Sequence, residues 1–178
     1  MNMPVHLTLD FCDMPWYNRV PLDEEWYDWI FGNCVKYGVR RLYWRVATGR
    51  AYYRSKIMTP IGHEGNQEEG ILKFADLLAG AGPTPHDPLE RAVAFAHMHG
   101  VELYAWFPFN ETHSLWTNRN LVDPWYAKRR DLYWCNRDGS RVWQGMPCVA
   151  EPEVVQRTVA IVEELCGYGV DGVFVTPR

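Results

Sequence analysis

The stretch Trp106-Phe107-Pro108-Phe109-Asn110-Glu111-Thr112-His113 gathers an indole, an amide, a carboxylate and an imidazole in one short run. These groups suit work on a sugar. A flat aromatic face stacks on apolar ring surface, amide and imidazole bond hydroxyls, and a carboxyl group moves a proton. Breaking a glycosidic bond usually takes two carboxyl groups flanking it, ~5–10 Å apart. Asp10, at the end of Val5-His6-Leu7-Thr8-Leu9, is the second carboxylate that fits. Glu111 and Asp10 are therefore the expected catalytic pair, with Trp106 as platform and Asn110 and His113 as hydroxyl partners. The competing reading is a solvated loop in which Glu111 or Thr112 caps local structure.

Arg45 and Arg178 each follow an apolar run. A guanidinium there either touches substrate or pairs with Asp10 or Glu111, because a buried arginine needs a carboxylate. Tyr53, in the segment Arg50 to Lys56, could wall a sugar cleft or belong to a packed loop. The histidines do not fall at metal-ligand spacing, since His97 and His99 are two apart on a helical pattern and point in different directions. Gly80-Ala81-Gly82 lacks the lysine and hydroxyl of a phosphate loop and the glycine spacing of a dinucleotide fold. No metal and no cofactor are expected.

Residues of this kind must be held by strands, and the strand pattern repeats. Three segments run from a helical pattern into Gly-Val and then a short apolar-aromatic run: Gly38-Val39, Gly100-Val101 and Gly169-Val170. Glycine at such a point takes the left-handed conformation that ends a helix. The run after it reads as a strand covered on both faces. Val5–Asp10, Arg41–Val46, Glu102–Phe107 and Gly172–Val175 are thus predicted as strands, parallel and adjacent in that order.

Three helices separate them. Asp23 caps one whose apolar face is read as Trp26, Trp29, Ile30 and Val35. Asp87-Pro88 opens the second, with Leu89, Ala92, Val93 and Ala96 inward. Pro152 starts the third, striped by Val155, Val159, Val162 and Cys166. A further helix is read near Ile71 to Ala79. A hairpin turning at Asp138-Gly139 pairs Trp134 with Trp143 and is placed over the sheet's functional end.

Alternating β and α units of this kind imply a parallel sheet. Four such units are about half of a (β/α)8 barrel, which needs ~250 residues. The expected fold class is α/β, a partial TIM barrel forming one domain over residues 1–178. A self-contained four-stranded α/β fold is the alternative.

Composition narrows the partners. The net charge of -4 gives no basic field for nucleic acid. No apolar run is long enough to span a membrane. The odd count of five widely spaced cysteines predicts reduced, mostly buried thiols rather than a disulfide framework. With no leader pattern at Met1, a cytoplasmic location follows by default.

Arg41 to Ile57, His86 to Glu111 and Tyr168 to Arg178 together resemble the N-terminal half of the glycosyl hydrolase-like family 10 barrels. The segment Asp87-Pro88-Leu89-Glu90, running on to Ala105-Trp106, carries most of that resemblance. It implies a TIM barrel acting on glycosidic bonds of a carbohydrate, present here as its first half and silent by itself. The family defines few catalytic residues, so none is carried over. A non-catalytic carbohydrate-binding or scaffold module is the alternative function, and another barrel enzyme such as an isomerase is a third. Bare sheet edges at the first and fourth strands are expected to promote self-association.

Overall fold

The structure is a computed structural model that describes residues 5–63, 68–80, 85–111 and 121–177. Its centre is a four-stranded parallel sheet of β1 (Val5–Leu9), β2 (Val39–Arg45), β5 (Glu102–Pro108) and β8 (Gly172–Thr176), ordered β1-β2-β5-β8. All four predicted strands form, within two residues of their expected ends and in the expected order. Gly38, Gly100 and Gly169 hold φ of 73°, 69° and 78°. Each supplies the left-handed residue that turns the chain from helix to strand.

Helices α1 (Glu24–Lys36), α3 (Pro88–Met98) and α5 (Pro152–Cys166) pack on β2, β5 and β8 respectively. Asp23 caps α1 by accepting from the Trp26 amide, and Asp87 caps α3 by accepting from Leu89 and Glu90. The inward face of α3 is the predicted one, with Leu89, Ala92, Val93 and Ala96 buried. α2 (Glu69–Leu78) is the extra helix after β2.

The strand registers sort side chains by face. Leu42, Trp44, Leu103, Ala105 and Phe107 point to the helices and are buried. Trp44 stacks on Phe11 at 4.1 Å and lies against Tyr27 and Phe31 of α1. Tyr43, Tyr104 and Phe174 line the opposite face and touch one another. Gly172 is required there because a Cβ would lie 2.4 Å from the Tyr104 ring.

Two helix faces differ from the sequence reading. α1 buries Trp26, Tyr27, Phe31 and Cys34, leaving Trp29 and Val35 exposed. α5 buries Val154, Ile161 and Leu165, while Val155, Val159 and Cys166 are exposed. The valine stripe on α5 is real, but it is the flank turned away from α3. Arg157 and Glu164 occupy the other flank and bond the segment of residues 53–57 that precedes α2. The cysteines differ too: all five are free thiols, but Cys12 and Cys34 alone are buried, and Cys135 and Cys166 are exposed.

Two small ribbons complete the chain. β3 (Ala47–Thr48) and β4 (Arg50–Ala51) turn at Gly49. β6 (Tyr133–Cys135) and β7 (Val142–Pro147) form the predicted hairpin and pair Trp134 with Trp143. Its buried contacts, through Leu132 and Tyr133, are with Tyr126 of α4 (Pro124–Ala127) and Val154 of α5. Both tryptophans are exposed, and Arg141 covers the Trp143 ring at 4.1 Å. No helix among the described residues is long and apolar enough to cross a membrane.

The region below α2 carries a pH dependence. His86 sits against Tyr27, with its Nε2 3.4 Å from the phenol oxygen. Burial, helped by Arg91, pushes its pKa below the usual histidine value. The fold therefore prefers neutral His86. Its stabilisation is present above the unfolded pKa of about 6.5 and is lost as pH falls through the folded value. The thermal midpoint is expected to drop between about pH 7.5 and about pH 5.5. His86→Gln should flatten that slope; an unchanged slope in the variant would place the titration elsewhere.

Candidate functional site

Sheet geometry places the ends of neighbouring strands together, and this aligns three charged residues. Leu9 is in register with Trp44, so Asp10 follows beside Arg45 at the end of β2. Arg45 is in register with Trp106, and the turn after β5, closed by the Glu111 amide on the Pro108 carbonyl, brings Glu111 back over it.

The Arg45 guanidinium joins both acids. Nη1 donates to Asp10 Oδ2, and Nη2 donates to Glu111 Oε2 at 2.5 Å. Nε donates to the Ala47 carbonyl at 3.2 Å, which fixes the plane of the fork. Side-chain exposure is 12% for Arg45, 10% for Glu111 and 30% for Asp10, so the triad is mostly withdrawn from water. Burial opposes the charge on Arg45, but Asp10 and Glu111 outweigh it and hold the pKa above its usual value. Two oxygens bonded to the two ends of one guanidinium are at most about 7 Å apart, so the two acids are close neighbours across the sheet end.

Trp106 forms the wall beside this cluster. Its ring lies 5.2 Å from the Arg45 guanidinium, and its Nε1 donates to Thr176 Oγ1 at 2.9 Å. The indole is thereby tied from β5 to β8. Asn110 is buried at 4% exposure in the turn before Glu111. Asp10, Arg45, Trp106 and Glu111 are thus in one contiguous cluster at the carboxyl end of the sheet. That is where (β/α)8 barrels place their chemistry.

Tyr53 is elsewhere. Its ring is 2% exposed, its hydroxyl donates to Glu164 at 2.9 Å, and it packs edge-on against Tyr168. Of the segment after β4, Met58 shares a small cavity with Glu111, but Tyr53 does not reach the carboxylate cluster. The segment inserts between α3 and α5, where Ser55 and Lys56 also bond Glu164 and the Arg54 amide bonds Asp87. Tyr53 instead lines a separate cleft of about 230 Å³ with Arg54, His63 and His86. His113 and Arg178 lie outside the described residues.

Three features were missed in the sequence. The Cys12 thiol donates to Asp10 Oδ1, and burial and then Asp10 push its pKa upward, so it stays a protonated donor. Arg50, nearly fully buried, donates to the Val122 and His63 carbonyls and anchors the loop before α4. Asp123 and Arg157 form a buried pair behind the cluster. Asp123-Pro124 repeats the cap signature of Asp87-Pro88, a signal that could have found it.

Asp10, Cys12 and Asp13 bring one ligand atom each within 4.8 Å of one another. A cation there would compete with the Arg45 charge and with a buried, protonated thiol, so the trio is poorly built for one.

No family model and no curated protein sequence matches the chain. Among solved structures it is similar to α-L-fucosidase isoenzyme 2 from Paenibacillus thiaminolyticus. The TM-score is 0.59 at 13% identity, covering 98% of this chain and 23% of that one. It is also similar to a noncanonic maltogenic α-amylase from Thermotoga neapolitana, with TM-score 0.53 and 12% identity, over 96% of this chain and 38% of that one. The chain spans well under half the length of either protein. At these identities the likeness is one of fold. The chain is a partial TIM barrel of the kind found in these glycosidase-type proteins.

Proposed function

We propose that this chain is the first half of a barrel whose parent protein acts on the glycosidic bonds of a carbohydrate, most nearly of the glycosyl hydrolase-like family 10 type. The observation that carries the reading is the bracketing of Arg45 by Asp10 and Glu111 at the carboxyl end of the sheet. In this reading Asp10 and Glu111 are the carboxylate pair. Trp106 stacks on the sugar, and Arg45 and Asn110, with His113 and Arg178, contact its hydroxyls. Its location is cytoplasmic, where the five free thiols stay reduced.

A second reading has its own support. One oxygen of each acid already accepts from Arg45, and the paired Trp134 and Trp143 are exposed, with Arg141 lying over the Trp143 ring. A carbohydrate-binding module without turnover would use such a pair.

The test is a panel of aryl glycosides and polysaccharides, read for turnover and for binding by calorimetry. The 178-residue chain is expected to bind at least one polysaccharide and to turn over none. Trp106→Ala should weaken that binding roughly tenfold or more, as loss of a stacking face does. Robust turnover abolished by Glu111→Gln would confirm the carboxylate pair and overturn the inactivity of the isolated chain. Binding lost in Trp143→Ala but not in Trp106→Ala would move the site to the hairpin and favour the second reading. Absence of any carbohydrate binding would end both.

A further inference from the structure

The cleft that Tyr53 lines lies between the segment after β4, helix α2 and the residues that lead into α3. Asp10, Arg45 and Glu111 are not among its walls. An apolar cavity of ~150 Å³ holds one benzene, so a cleft of about 230 Å³ admits a single ring with a small polar group attached. Its walls include Tyr52, Ile61 and Leu78, all buried. The polar lining is unequal: Arg54, His63 and His86 stand against one acid, Asp76. Each of the three bases is placed by the fold. The Arg54 amide donates to Asp87 Oδ2 at 2.8 Å, and its Nη2 donates to the Pro85 carbonyl at 2.7 Å. Among the described residues no carboxylate pairs with that guanidinium. The His63 carbonyl accepts from Nη1 of the buried Arg50 at 3.0 Å. The His86 amide donates to the Ala79 carbonyl at 3.0 Å, and its Nε2 faces the Tyr27 hydroxyl. The Nδ1 edge of His86 then lies over Gly80, where a Cβ would come within 2.8 Å of it.

We propose that this cleft is a second binding site, for a small monoanion that carries one carboxylate on an apolar body of about one ring. The carboxylate takes the fork of Arg54, the strongest pairing open to a guanidinium that has only a carbonyl partner. His63 and His86 supply further N–H donors, since a neutral imidazole always carries one. The ring packs against Ile61 and Leu78 beside Tyr52. Asp76 works against a second negative charge, which selects a carboxylate over a phosphate dianion. The inference rests on this cleft alone and holds whether or not the carboxylate cluster acts on a sugar.

The experiment is titration of the 178-residue chain with benzoate, followed by calorimetry and by NMR of the histidine rings and indole N–H groups. Benzoate is expected to bind with a Kd of about 1 mM or tighter, within reach of a ligand of this size. It should shift the rings of His63 and His86 and leave the Trp106 indole unmoved. Benzamide has the same shape without the charge and should bind at least roughly tenfold more weakly. Inorganic phosphate, which lacks the ring, should do the same. Arg54→Gln, at an exposed position, should weaken benzoate roughly tenfold or more with an unchanged circular dichroism spectrum. No benzoate binding up to about 10 mM overturns the proposal. So does benzamide or phosphate binding as tightly as benzoate, or benzoate that moves Trp106 and not the two histidines. If Arg54→Gln fails to fold, the benzoate–benzamide difference and the histidine shifts in the unaltered chain decide.

Discussion

Arg45→Met is expected to lower stability by about 3 kcal/mol, the low end for breaking a buried ion pair, because Asp10 keeps some contact with water. For a chain of this size that is roughly 6–12 °C in the thermal midpoint. The mechanism is specific. Methionine preserves most of the packing against Trp106 but leaves two carboxylates facing each other across the mouth with no cation between them. Arg45→Lys should lose less than methionine yet still fall short of arginine, since one ammonium cannot present the fork that reaches both acids and the Ala47 carbonyl. Adding Glu111→Gln to Arg45→Met should recover part of the loss. The recovery measures the coupling, which exceeds about 1 kcal/mol if the acids act through Arg45. A single Arg45→Met variant within about 2 °C of the unaltered chain would show that the triad contributes no stability.

This triad was largely legible in the sequence because strand ends are legible. Three of the four strands are announced by local chemistry: a glycine that must go left-handed, then an apolar run. Once parallel order is assumed, Asp10, Arg45 and Glu111 fall side by side without any tertiary information. Tyr53 shows how far that logic reaches. It fixes residues within one or two positions of a strand end, whereas Tyr53 comes after the β3–β4 ribbon, and that ribbon sends the chain outward between α3 and α5. Strands of two residues leave no periodic signal to read.

The faces of α1 and α5 failed for another reason, while that of α3 was read correctly. α1 carries Trp26, Tyr27, Trp29, Ile30 and Phe31 within two turns, so apolar residues point in nearly every direction and period alone cannot choose. The structure chooses Tyr27 and Phe31 because Trp44 presents a broad ring to that face. α5 carries two apolar stripes, and Val154, Ile161 and Leu165 win the sheet. Val155 and Val159 remain exposed on the flank opposite Arg157 and Glu164.

The largest loss is expected at Asp123, which is 1% exposed. Its Oδ1 accepts from the Trp125 amide at 2.8 Å and caps α4. Its Oδ2 accepts from the Thr59 amide at 3.1 Å and from Arg157 Nη2 at 3.0 Å. One carboxylate thereby ties the segment after β4, the start of α4 and the middle of α5. Asp123→Ala removes a helix cap, ~1 kcal/mol, and strands a buried guanidinium, ~3 kcal/mol, for about 4 kcal/mol or roughly 8–16 °C. Arg157 has no reserve to draw on. Its Nε is already buried without a partner, and its other bond is to the Ile57 carbonyl. Asp123→Asn keeps an acceptor for the cap and should lose about half as much. Combining Asp123→Ala with Arg157→Met removes the stranded charge and leaves the thioether against Trp125, where the guanidinium now lies at 4.5 Å. The double variant should therefore be more stable than Asp123→Ala alone, by thermal melt and by slower amide exchange at residues 57–59. A double variant less stable than Asp123→Ala would mean that Arg157 stabilises α5 through packing, and that its charge is already accommodated without Asp123.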